Sequence, residues 1–141
     1  MPFEELEHTA DVKMRITAPD FAGILLESGL ALARVNYGTY PLEKAAVSFE
    51  IEADGTSKEE LCVNYLSELL FIMETEYLVP TAGNLRVMEE NGTWKACGTV
   101  SGVLFERGKH SGGIGVKGIS YSGLTLTKTN TDYELIIIFD I

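Results

Sequence analysis

Cations, thiols and long apolar runs are all scarce in this 141-residue chain. Eleven Lys and Arg face 21 Asp and Glu, which leaves a formal net charge of −10 at pH 7. Such a surface is repelled at long range by nucleic-acid phosphates, which excludes strong direct RNA or DNA binding and favours a basic partner or a cation. Improved solubility is the plainer use of the same charge. The cysteines, Cys62 and Cys97, have no CxxC spacing and no histidine beside them, so a reduced pair of small core residues is expected instead of a disulfide. With His8 and His110 as the only two histidines, zinc lacks a donor set. No apolar run approaches the ~20 residues that span a bilayer, and the longest, Leu135 to Phe139, has strand length. The N-terminal MPFEELEH is acidic and lacks the basic-then-apolar order of a secretory signal. A cytoplasmic protein with no membrane association is expected.

What is present suffices for one folded domain over residues 1–141, with 45% hydrophobic and 9% aromatic residues. Residues 12–18 alternate apolar and polar and predict a strand. Asp20 is placed to cap a helix in which Phe21, Leu25, Ser28, Leu32 and Val35 share one face, ending near Asn36–Gly38. Residues 45–53 again alternate. A second helix follows a Thr56 or Ser57 cap, with Leu61, Tyr65, Leu69 and Ile72 on its apolar side and Glu60, Asn64 and Glu68 along a polar stripe. Beyond Pro80 the pattern is of strands: residues 84–90, an Asn91-Gly92 hairpin turn, then 93–105. A glycine-rich loop over 106–115 precedes two closing strands. This order predicts an α+β fold, a mostly antiparallel sheet with two amphipathic helices packed on it.

Carboxylates mark the candidate chemistry. His8-Thr9-Ala10-Asp11 stands directly before the first strand, and Phe139-Asp140-Ile141 follows the most apolar one. An Asp before a strand is ordinarily a turn or capping residue. If pairing brings the last strand beside the first, however, Asp11, Asp140 and the α-carboxylate of Ile141 converge. Such a cluster needs a cation or a raised pKa, and oxygen-only ligation selects a hard cation, Ca²⁺ or Mg²⁺, with Mn²⁺ as a further candidate.

HTAD at 8–11, YLSELLF at 65–71, VKGISY at 116–121 and the closing FDI occur in the order and at the spacings of archeases, which the whole chain resembles. That resemblance implies the archease fold, with a divalent cation held by Asp11, Asp140 and Ile141. It also implies that His8, Glu68 and Lys117 belong to the functional surface around the metal. Two departures stand out: Tyr65 and Ser67 replace the Trp and Asn common before and within the ELL segment, and Gly118 follows Lys117 where Ala is common. The implied role is that of a protein cofactor, not an enzyme. It would activate an RtcB-type RNA ligase in tRNA splicing and RNA repair, promoting the ligase's guanylylation and multiple turnover. A chaperone-like modulator of tRNA-modifying enzymes is a related reading. From a different class, a small metal-dependent phosphohydrolase would use Asp11, Asp140 and Glu68. Against it, GKHSGG at 108–113 lacks the spacing and the Ser or Thr of a phosphate loop. The basic groups Arg107, Lys109, His110 and Lys117 in or next to the loop are candidates for contact with a phosphate or an acidic surface.

Overall fold

A computed structural model describes residues 11–141. The elements run β1 (Asp11–Ala18), α1 (Phe21–Tyr37), β2 (Val47–Gly55), α2 (Lys58–Glu76), β3 (Leu78–Glu90), β4 (Thr93–Leu104), β5 (Gly118–Lys128) and β6 (Tyr133–Asp140). They form two three-stranded antiparallel sheets, ordered β1-β6-β5 and β2-β4-β3. The α+β expectation holds, with one refinement: the strands divide between two sheets. Helix α1 packs against β1 and β3, α2 against β2 and β5, and the helices touch each other. They meet tightly at Gly29, where an added Cβ would stand 2.9 Å from the Leu69 Cδ2.

Both helix starts follow their sequence signals. Asp20 Oδ1 accepts from the Gly23 amide at 2.7 Å, and Ser57 Oγ accepts from the Glu60 amide at 3.0 Å. The Glu60 carboxylate reaches back to the Thr56 amide and hydroxyl, so Ser57 is the cap and Thr56 its support. Beside these starts, Lys58 Nζ lies 4.8 Å from the ring centre of Trp94, 5.1 Å from that of Tyr133 and 5.7 Å from that of Phe21. It also donates to the Tyr133 hydroxyl at 3.2 Å. One ammonium thereby ties α2 to α1 and to both sheets through cation–π attraction.

The core is built from the faces that periodicity marked. Leu61, Cys62, Tyr65, Leu66, Leu69, Ile72 and Met73 of α2 are buried, as are Leu135, Ile137 and Phe139 of β6. Cys62 and Cys97 are both free thiols, as expected, the first buried and the second half-buried. Burial pushes the Cys62 thiol up to about 12, with a smaller push from Glu59.

The third strand starts earlier than its sequence suggests. It spans Leu78–Glu90 and contains Pro80, which is tolerated because β3 is an edge strand and the register shifts between Pro80 and Ala82. Tyr40 anchors that irregularity by donating to the Pro80 carbonyl at 2.6 Å. The Asn91-Gly92 turn has φ of 53° and 81°, the left-handed pair that a two-residue hairpin requires.

Candidate functional site

Asp11 opens β1 and Asp140 closes β6, and the two are direct partners in the antiparallel register. Alternation fixes their facing. Val12, Met14, Ile16 and Ala18 pair with the inward set Phe139, Ile137, Leu135 and Tyr133, so Asp11, Lys13, Arg15 and Thr17 share the other face with Asp140, Ile138, Ile136 and Glu134. Two carboxylates opposite each other on one face repel unless a proton or a cation intervenes. The Asp11 carboxyl is accordingly raised above its ordinary value, first by desolvation and then by a hydrogen bond and charge repulsion from Asp140. Further along the same face, Arg15 is engaged by Glu134 at 3.8 Å.

Residue 141 stays with the fold. The Ile141 side chain is half-buried and packs against the core, continuing the inward alternation of β6 and holding its backbone next to Asp140. The Lys117 amide donates to the Asp140 carbonyl at 2.7 Å, so Lys117 sits at the same corner with its side chain exposed. Gly118 pairs with Asp140, and an added Cβ there would meet Asp140 Oδ2 at 3.8 Å, an ordinary contact. The Gly in place of Ala therefore leaves the corner's geometry intact.

Two other expected members are Glu68 and His8. Glu68 is exposed on α2 and lines a shallow depression with Glu50, Glu52 and Cys97–Thr99, one that contains neither Asp11 nor Asp140. The helix packs along β2, and the stripe that carries Asn64 onto the Asp54 carbonyl sets Glu68 toward β2 too. His8 lies outside the described residues. Among those described, no group of three His, Cys, Asp or Glu side chains is set to hold a metal ion. The corner has two side-chain carboxylates, with Ile141 next to them in the chain.

The glycine-rich loop is not a free cationic arm. His110 is 2% exposed, its ring packed against those of Tyr37, Tyr40 and Phe105, and its Nδ1 accepts from the Glu106 amide at 2.9 Å. Lys109 is held by Glu43 at 3.1 Å and by Glu106 at 3.5 Å. The glycines permit close packing on the end of α1: a Cβ on Gly38 would stand 2.5 Å from the Gly112 carbonyl carbon, and Gly38 has φ of 82°. The Ile114 amide donates to the Val35 carbonyl at 2.8 Å and the Val116 amide to Asn36 Oδ1 at 2.9 Å. Composition could not reveal this. The one available signal was the cluster Tyr37, Tyr40 and Phe105, large rings that need a buried partner.

Comparison with known proteins agrees with this architecture. Residues 3–141 match the family model described as Archease protein family (MTH1598/TM1083). A protein of Drosophila melanogaster named archease-like is 34% identical over 146 residues, covering 100% of this chain and 91% of the relative. Protein archease of Methanopyrus kandleri is 27% identical, with 91% of each chain covered. The solution structure of Methanobacterium thermoautotrophicum protein 1598 superposes with a TM-score of 0.81 at 21% identity over 96% of each chain. A Thermotoga maritima crystal structure titled an archease, possible chaperone, gives 0.63 at 17% identity over 99% of this chain and 97% of that one. The family match over nearly the whole length, together with a full-length relative above one-third identity, places this chain in the archease family.

Proposed function

We propose that this protein is a metal-binding protein cofactor, not itself an enzyme, that activates an RtcB-type RNA ligase by promoting its guanylylation and repeated turnover. The observation that carries the reading is the cross-strand pairing of Asp11 with Asp140 at the corner that Lys117 shares. Two opposed carboxylates, where desolvation and their mutual repulsion raise the Asp11 pKa, favour a cation between them. Their donors are all oxygens, and the Ile141 carboxylate adds a third anionic group, which suits a hard divalent cation, Ca²⁺ first and Mg²⁺ or Mn²⁺ otherwise. When bound, the cation would supply local positive charge for organising phosphate and carboxylate oxygens. The chain's own residues do the rest. Asp11 and Asp140 hold ligand oxygens at a fixed spacing set by the sheet register, and Lys117 presents an exposed ammonium beside them for a phosphate. The net charge of −10 favours a basic partner protein over bare RNA.

The direct test is guanylylation and multiple-turnover ligation by a cognate RtcB-type ligase with substoichiometric amounts of this protein. Stimulation is expected, weakened in Lys117→Ala at unchanged thermal stability. No stimulation by the native protein would overturn the reading. Divalent-dependent hydrolysis of phosphomonoesters or GTP that disappears in Asp11→Ala would replace it with an enzyme.

A further inference from the structure

Three locally unfavourable features coincide where α2 gives way to β3. The last turn of α2 carries Glu74 and Glu76 and no basic residue, although unsatisfied carbonyls already make a helix C-terminus negative. Tyr77 follows at φ 59° and ψ 32°, the left-handed region where Gly or Asn is the ordinary choice. Its side chain is 65% exposed, so burial does not compensate for the backbone. The Phe105 amide donates to the Tyr77 carbonyl at 2.8 Å and Leu78 pairs with Leu104, which sets Leu104 and Phe105, 53% and 39% exposed, alongside. Local stability would favour Gly at 77, Lys at 76 and a polar group at 104, whereas Phe105 also packs on Tyr37 and His110. Conflicts of this kind collect at functional surfaces.

We infer that Tyr77, Leu104 and Phe105 form the apolar centre of a docking surface, with Glu74 and Glu76 as its acidic rim, for a partner protein presenting an apolar knob ringed by Lys and Arg. Charge selects that occupant. A second copy of the chain, a nucleic acid and an anionic lipid surface all carry the wrong sign against a net −10. The neighbouring cations are already engaged: Lys109 by Glu43 and Glu106, and Arg34 over the Tyr40 ring at 5.9 Å. Exposed Arg107 is the remaining basic group of that loop. The surface also lies at the carboxylate end of the molecule. Tyr37 donates to the Leu78 carbonyl at 2.9 Å, while its neighbour Asn36 accepts from Val116, next to the Lys117 that bonds Asp140. A protein seated on the aromatic centre would therefore reach the Asp11–Asp140 corner. The inference rests on the ligase reading above for the identity of the partner.

The test is calorimetric binding of the full-length protein to a cognate RtcB-type ligase, with a melt of each variant. Tyr77→Gly should leave Tm unchanged or raised, because it relieves the backbone, yet weaken binding tenfold or more. The pair Glu74→Lys and Glu76→Lys should weaken binding and flatten its salt dependence, whereas Glu90→Lys, an equal-sign change at the exposed hairpin tip, should do neither. If Tyr77→Gly lowers Tm, Leu104→Ser decides by the same tenfold criterion. Native-strength binding by Tyr77→Gly or, in that case, Leu104→Ser overturns the surface and leaves the ligase reading standing. Absence of binding by the native protein overturns both.

Discussion

At the end of the molecule where both helices begin, most local preferences are met; at the end where they finish, several are violated. Asp20 and Ser57 cap their helices, Glu59 and Glu60 complement the positive end of α2, and Lys58 is surrounded by Phe21, Trp94 and Tyr133. At the other end Asp11 faces Asp140, Glu74 and Glu76 crowd a negative helix end, and Tyr77 holds a conformation suited to glycine. The first end is built for stability. The second keeps unfavourable charge and backbone that the free fold leaves in place.

The widest expected separation between the ends lies in cation affinity. Adding two glycines after Ile141 converts its carboxylate to an amide, and should lower Ca²⁺ or Mn²⁺ affinity about tenfold or more by calorimetry, because ligand charge tunes such sites. The cation-free melt should hardly move. Equal affinities would remove Ile141 from the site and return Asp11 and Asp140 to ordinary strand-end roles. Next in size is Lys58→Met, which keeps the aliphatic stem and removes the ammonium. It should cost about 1–2 kcal/mol in urea denaturation without changing cation affinity. A loss of cation affinity there would mean that the two ends are coupled.

Alkaline titration separates the tyrosines by the same logic. Burial raises Tyr37 and Tyr40 to about 12, whereas the hydrogen bond from Lys58 holds Tyr133 below its ordinary value. From pH 10 to about 12 the unfolded chain releases protons that folded Tyr37 and Tyr40 retain, so stability falls as pH rises through that window. Near-ultraviolet absorbance should show an early ionisation lost in Tyr133→Phe, and a late one coincident with unfolding. A single transition at the ordinary tyrosine value in the folded protein would contradict this placement. The smallest effect belongs to Glu76→Lys. Matching the charge to the α2 C-terminus should raise stability by about 0.3–1 kcal/mol in the isolated protein. A destabilisation would mean that Glu76 has a favourable role in the free fold.

Elements governed by neighbours in sequence were legible in advance. Alternation marked β1 and β2, Asp20 and Ser57 marked the helix starts, and Asn91-Gly92 marked the hairpin. The opposition of Asp11 and Asp140 was legible only conditionally, because register is a property of two strands and a sequence shows one at a time. The surroundings of Glu68 were hidden for a similar reason. Its stripe position showed exposure but not which sheet edge α2 would lie along. His110 read as a surface cation because nothing local announces that Tyr37, Tyr40 and Phe105 will close around it. The early start of β3 was hidden by Pro80, a residue that argues against a strand until its edge position is known.

Among the described residues, the central strand of the β1-β6-β5 sheet is the last of six in chain order, and its partner β1 is the first. That separation puts a large loop-closure cost on the sheet, met before the contacts reward it. Until β6 is made, β1 has no strand partner on either edge. The Asp11–Asp140 corner then comes into being only when folding has finished. Its cation would bind no folding intermediate that lacks β6, so ligand occupancy at this corner would count finished molecules and pass over unfinished ones.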